Sequence, residues 1–196
     1  MAKANTFTRV IEPSCNLGAA GAQEEFPVAA SQTIRQGDFV QLSSNLVAQA
    51  LAANGTAYGG TVQGNTDTLL GIALADITSN SGAVEAATGR TEVPVMVFDQ
   101  STEIVVRVVN ATALNGNANT LLSSGAAAAA LSTLNVGSRY NLCRVTLGSS
   151  SNTVYAMDNT VDASGRFVLV AKIDGQQTTD VFPVCKFRPV YGAQDI

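Results

Sequence analysis

Apolar and polar residues alternate with a period of two in many short segments of this chain. Successive side chains of a β-strand point to opposite faces of a sheet, so this period predicts strands. The segments fall into two groups, residues 34–109 and residues 136–196, and clusters of Gly, Ser and Asn separate the strands. The pattern predicts a mainly β fold, with short-stranded β-barrel or sandwich blocks, an extended N-terminal arm and little helix.

The first β block, residues 34–109, contains a predicted hairpin and a predicted contact surface. The hairpin joins residues 93–98 to residues 104–109 through a short polar link at residues 99–102. Another segment places bulky residues on one face and Gly71, Ala73 and Ala75 on the other. Because a small-residue face lets another backbone approach closely, we expect these three residues to form an oligomer contact.

Residues 110–135 are predicted to connect the two blocks. They are rich in Asn, Gly, Ser and Ala, and their alanine run is compatible with either a short helix or a flexible loop. The second β block, residues 136–196, alternates near residues 142–147, 154–157, 167–173 and 181–188. Prolines in the last of these segments predict an edge strand.

Residues 1–33 show neither a helical nor a strand period. Their apolar residues are too widely spaced to build a core, and they are too numerous to remain exposed to water without a partner surface. We expect an extended arm that becomes ordered along a partner surface, with Phe7 and Ile11 as anchors and Arg9 available to a carboxylate of the partner. The alternative is that this segment completes the chain's own sheet.

The composition favours packing against other proteins. Only 13% of the residues are charged, about half the usual share, whereas 46% are hydrophobic. Ala, Gly, Ser, Thr and Asn take the place of charged residues and make small, weakly hydrated surfaces. A monomer with a neutral polar surface is the alternative interpretation.

Charge and hydropathy restrict the classes of partner that this chain can bind. The net charge is −4 and the eleven Lys and Arg are scattered singly, so the cation cluster that nucleic-acid binding requires is missing. No apolar stretch has the length of a signal peptide or a membrane span. We expect neither nucleic acid nor membrane as a partner, and a protein made in a cytoplasm.

The residue types for common catalytic and metal sites are missing. The chain contains no histidine, which excludes Ser-His-Asp triads and histidine-bearing zinc sites. Its three cysteines, Cys15, Cys143 and Cys185, form no closely spaced pair, and the last two alternate with apolar residues as small core residues do. We therefore expect no enzyme, no metal and no organic cofactor.

Carboxylates are the remaining candidates for chemistry, and their closest grouping contains Asp158 and Asp162. This segment does not match a calcium-binding loop, because Ala163 occupies the position of the required glycine and Leu169 occupies the position of the bidentate glutamate. We expect a polar turn between two strands.

Three segments of the first block, residues 34–42, 70–76 and 92–98, resemble the head decoration, or cement, proteins of tailed phages. In that family a "GD-apolar-V" strand leads through a variable loop to a "GIAL-like" strand and a "V-x-V" hairpin. Here the segments read IRQGDFVQL, LGIALAD and EVPVMVF. The resemblance covers residues 34–109, and residues 137–142 of the second block are similar in style.

The resemblance implies a structural virion protein on the outer surface of a phage capsid, made in the host bacterial cytoplasm. Such a protein bridges neighbouring subunits of the major capsid protein and contacts its own copies, often as a homotrimer. The alternatives are another virion component, such as a head fibre or tail protein with a receptor-binding role, and an enzyme that uses carboxylates alone. Small lambdoid decoration proteins are shorter than this chain, and its second block has no residue-by-residue counterpart in them.

Overall fold

The computed structural model describes residues 11–13, 22–50, 60–62, 69–99, 101–111, 131–146, 153–173 and 183–190, and the predicted mainly β fold is confirmed. A single 3-10 turn at Leu131–Thr133 is the helical segment of these ranges. The strands are β1 (Ile11–Pro13), β2 (Gln23–Pro27), β3 (Thr33–Ile34), β4 (Phe39–Ser43), β5 (Leu46–Gln49), β6 (Gly60–Val62), β7 (Leu69–Ala73), β8 (Ile77–Thr78), β9 (Glu92–Val97), β10 (Ile104–Val109), β11 (Arg139–Tyr140), β12 (Leu142–Thr146), β13 (Thr153–Asp158), β14 (Phe167–Lys172) and β15 (Val184–Pro189).

The chain divides into two compact units, each assembled from separate segments. Unit 1 consists of Met1–Ser14, Ala53–Asn65 and Glu103–Val190. Unit 2 consists of Cys15–Ala52, Thr66–Thr102 and Tyr191–Ile196. This division differs from the predicted succession of arm, block, connector and block, because strands distant in sequence pair with each other.

Unit 2 contains a five-stranded antiparallel sheet in the order β2-β9-β7-β4-β5, and the pair β3-β8. A parallel bridge joins Val28, just after β2, to Val47 of β5 at the opposite end of that order, so the sheet curls around its core. Valines of β4, β5 and β9 and the residues Leu70 and Ala73 of β7 fill this core, and Phe26 of β2 packs against it from a half-buried position.

A two-residue turn sets the β4–β5 hairpin. Ser44 and Asn45 both have positive φ, 51° and 63°, as the turns that match the twist of a hairpin require. Asparagine tolerates this conformation better than most residues. The turn places Ser43 opposite Leu46 and thereby fixes the register of the hairpin.

Unit 1 contains a sheet in the order β11-β14-β15-β10-β13-β12-β6, with β1 as an additional partner of β10. β10 is the centre: Ile104, Val106 and Val108 are fully buried, as the period-2 pattern predicts. β15 occupies one edge of β10, whereas β1 and then the parallel strand β13 share the other. In the core the ring of Tyr140 meets that of Phe187 edge to face, with centroids 5.9 Å apart.

Two predicted strand arrangements are wrong. Residues 93–98 and 104–109 do not form a hairpin, because β9 pairs with β2 and β7, whereas β10 pairs with β1, β13 and β15. β15 is an interior strand between β14 and β10, not an edge strand. Its prolines are tolerated there because Pro183 precedes the strand and Pro189 ends it, where a missing N–H disturbs the ladder least.

The described parts of residues 1–33 belong to the chain's own sheets and not to a free arm. Residues 11–13 form β1 on β10, and residues 23–27 form β2 on β9. β2 lies at the end of its sheet order and most of its residues are exposed, so it lacks the apolar alternation that marks a half-buried strand. Residues 1–10 and 14–21 lie outside the described residues, as does most of the predicted connector, residues 112–130.

Candidate functional site

The three segments that carry the family resemblance form three neighbouring strands of unit 2. β4, β7 and β9 pair in the order β9-β7-β4, with Phe39 opposite Ile72 and Ile72 opposite Met96. The rings of Phe39 and Phe98, which come from the first and third segments, lie with centroids 5.7 Å apart. The segments thus share one sheet and one core, although about thirty residues separate the first from the second.

Gly37 and Asp38 of the first segment hold the beginning of β4 against the end of β7. Gly37 has a φ of 82°, which favours glycine, and its N–H donates to the carbonyl of Ala73 at 2.7 Å. The N–H of Ala73 donates in return to the carbonyl of Asp38 at 2.9 Å. The buried Asp38 carboxylate accepts hydrogen bonds from the Arg35 N–H at 2.8 Å and from Gln49 Nε2 at 3.1 Å.

The candidate carboxylates flank and occupy a polar turn between β13 and β14, as predicted: Asp158 ends β13, and Asp162 lies in the turn. Asp158 is buried, and its Oδ1 accepts a hydrogen bond from the N–H of Ala111 at 2.9 Å. Asp162 Oδ1 accepts hydrogen bonds from the hydroxyl and the N–H of Ser164, and its Oδ2 accepts one from Asn141 Nδ2 at 2.7 Å. The Ser164 hydroxyl bond is the largest of the effects that lower the pKa of Asp162. Asp158 therefore joins the end of β13 to the residue that follows Asn110, and Asp162 stabilises its own turn.

The predicted oligomer contact at Gly71, Ala73 and Ala75 is corrected by the structure. Gly71 and Ala73 are buried inside unit 2. A Cβ placed on Gly71 would overlap the carbonyl oxygen of Met96 and lie 2.8 Å from its carbonyl carbon. The backbone that approaches this face is therefore β9 of the same chain. Ala75 follows β7 and is half-buried.

The predicted capsid-binding residues are distributed differently. Phe7 and Arg9 lie outside the described residues. Ile11 is the first residue of β1, where it is the register partner of Val106 in β10. For this anchor the structure matches the alternative interpretation, in which the segment completes the chain's own sheet.

Cys143 and Cys185 are buried core residues, as predicted, and both are free thiols. Burial raises the pKa of Cys143 well above its ordinary value, and the neighbouring Asp158 carboxylate raises it further. Burial also raises the pKa of Cys185, to about 11. Both thiols are therefore protonated and unreactive at neutral pH. Cys15 lies outside the described residues.

Two exposed apolar side chains were not singled out by the sequence pattern. Val136 and Val161 retain 60% and 50% of their accessible surface, and they are the large apolar residues of the described segments with this exposure. Both lie in turns, where a single valine has no period to reveal its orientation.

Over the described ranges, His, Cys, Asp and Glu form no group of three or more that could hold a metal ion. Nor do those ranges contain a helix with the length and apolar character of a membrane span. No family model matches the chain, and neither a curated protein nor a solved structure matches it.

Proposed function

We propose that this chain is a structural virion protein that binds the outer surface of a tailed-phage capsid and stabilises it by bridging major capsid protein subunits. The observation that supports this proposal is the adjacency of β9, β7 and β4, the three strands that contain the decoration-protein motifs.

The roles of the motif residues also support a mechanical function. Gly37, Asp38 and Gly71 serve the hydrogen bonding and close packing of the sheet. The carboxylates outside the motifs, Asp158 and Asp162, accept hydrogen bonds from Ala111 and Ser164. A protein of this kind acts by burying surface against its neighbours. At roughly 25 cal/mol per Å² of apolar area, even small contacts sum over many copies on a shell.

The proposal is tested by binding to capsids. Expanded heads that lack this chain, prepared from the phage whose genome encodes it, are mixed with the purified protein and separated by sedimentation. We expect saturable binding at a fixed ratio to the major capsid protein, and a higher temperature for DNA release from filled heads. Unexpanded heads are the matched control, because the bridged seams differ before expansion.

Binding to host cells with no binding to expanded heads would refute the proposal and favour a receptor-binding virion component. Equal stability of decorated and undecorated heads would refute the bridging role even if the protein bound. Both readouts are independent of the oligomeric state of the free protein.

A further inference from the structure

The two units carry opposite charge. Unit 1 contains nine Lys and Arg against six Asp and Glu, a formal charge of +3. Unit 2 contains two Arg against nine Asp and Glu, a formal charge of −7, and together these give the chain's net −4. The net charge of −4 is therefore the sum of two unlike charges. The linear sequence does not show this asymmetry, because each unit is assembled from separate segments.

Three of the nine Lys and Arg of unit 1 lie on one sheet face. Strand register places Arg139 beside Val168 and Val168 beside Arg188, so these three residues form a row across β11, β14 and β15. Lys186 lies two residues from Arg188 on the same face, and its Nζ contacts Glu103 Oε2 at 3.0 Å. We call Arg139, Lys186 and Arg188 the basic face.

The basic face combines charge with apolar surface. Arg188 is exposed, and Arg139 and Lys186 are half-buried. Half-buried valines lie between them: Val168 in the row, and Val184 two residues before Lys186. Apolar surface interspersed with cations is a composition suited to a protein partner of opposite charge.

The negative charge of unit 2 includes a group at the end of its five-stranded sheet. Glu25 is paired with Pro94, and Glu92 with Pro27, so Glu25 and Glu92 lie on the same face of the β2–β9 pair. Both are exposed. Glu24 is exposed as well, but it is paired with Val95 and lies on the opposite face of β2. We call Glu25 and Glu92 the acidic edge.

We propose that copies of this chain associate head to tail, with the basic face of one copy on the acidic edge of the next. The occupant is a second copy because each copy carries both complementary surfaces. A contact between two different surfaces closes into a ring when the rotation permits, which accommodates the predicted trimer. The inference deepens the proposed function and depends on it only for the expectation that copies associate.

The test exchanges charges between the two surfaces. One variant carries Arg139→Glu and Arg188→Glu, a second carries Glu25→Lys and Glu92→Lys, and a third carries all four changes and has the net charge of the wild type. Self-association of each full-length chain is measured by sedimentation velocity at about 0.05 M and about 0.5 M salt.

We expect the wild type to associate at low salt and to dissociate at high salt. Each double variant should associate at least roughly tenfold more weakly, because like charges then face each other. The fourfold variant should recover association, since its surfaces are again complementary. An equimolar mixture of the two double variants should also associate, and this second readout serves if the fourfold variant does not fold.

Several results would overturn the inference. A wild type that is monomeric at low salt would do so, as would double variants that associate like the wild type. Double variants that lose thermal stability without any change in sedimentation would show that the charges act within one chain. If the double variants bind capsids less well but associate normally, the basic face or the acidic edge contacts the capsid and not a second copy. Capsid binding by a chain that never self-associates would leave the proposed function intact while this inference fails.

Discussion

The substitution Gly71→Ala tests whether the small-residue face packs against the chain's own sheet or against a second copy. In the structure, the added Cβ overlaps the carbonyl oxygen of Met96 and lies 2.8 Å from its carbonyl carbon and 2.9 Å from Cγ1 of Val95. A backbone carbonyl within a sheet cannot rotate away as a flexible side chain can. β7 and β9 must therefore separate locally, at the expense of their shared hydrogen bonds.

Overpacking of a well-packed interior costs typically 1–3 kcal/mol, and a clash with immobile backbone belongs at the upper end, so we expect a loss of about 3 kcal/mol. For a unit of this size, that loss lowers the melting temperature by roughly 10 °C or more. The loss is independent of protein concentration, because both strands belong to one chain.

The assay is urea unfolding followed by far-ultraviolet circular dichroism at two protein concentrations, with linear extrapolation to water. Gly82→Ala is the matched control: an added Cβ there meets only the side-chain Oδ1 of Asn80, at 3.3 Å. We expect this control to remain within about 0.5 kcal/mol of the wild type. A Gly71→Ala variant as stable as the control would refute the packing argument. Normal monomer stability combined with weakened self-association would restore the small-residue face as an oligomer contact.

Three further predictions concern the buried thiols and the carboxylates. In the native protein Cys143 and Cys185 should resist alkylation at pH 7, because their raised pKa values keep them protonated and burial blocks access. Peptide mapping should find both thiols labelled only after unfolding. Rapid labelling of either thiol in the native protein would contradict the structure. Asp158→Ala should lower the free energy of unfolding in urea by about 1–3 kcal/mol, because it leaves a buried backbone N–H without its acceptor. Asp158→Asn keeps an oxygen and should lower it less. Equal losses for the two variants would show that the hydrogen bond is unimportant. The pKa of Asp162 is lowered in the folded protein, so the stability it contributes is present above its unfolded pKa of about 3.9 and is lost as the pH falls through the folded value. Melting temperatures between pH 7 and pH 2 should therefore decrease below about pH 4, less steeply for Ser164→Ala, and identical profiles for this variant and the wild type would exclude the hydroxyl as the cause.

Local patterns predicted the individual strands well. β4, β7, β9, β10, β12, β13 and β14 all lie where apolar residues alternate, and Cys143 and Cys185 are buried as that alternation requires. The polar turn at Asp158 and Asp162 was also predictable, because the residues that calcium needs are replaced there. These features depend on neighbours along the chain, so the sequence contains the information for them.

Strands at the ends of the sheets were harder to recognise. β2 is exposed along most of its length, so its sequence QEEFP contains little of the alternation that burial imposes. β6 has only three residues, one of which is glycine. The hydrogen bonds of such strands come from a partner strand elsewhere in the chain, and a window of sequence does not contain that partner.

The sequence by itself determined the mainly β character, the positions of the strands whose residues alternate, and their apolar faces, because alternation and turn chemistry are properties of short segments. The tertiary structure alone decided which strands pair. It placed β9 and β10 in different units, although only the six residues 98–103 separate them in sequence. It also placed β9 of the same chain against the small-residue face at Gly71. The opposite charges of the two units likewise arise only when separated segments are brought together, because pairing between distant strands is selected by the packing of the whole core.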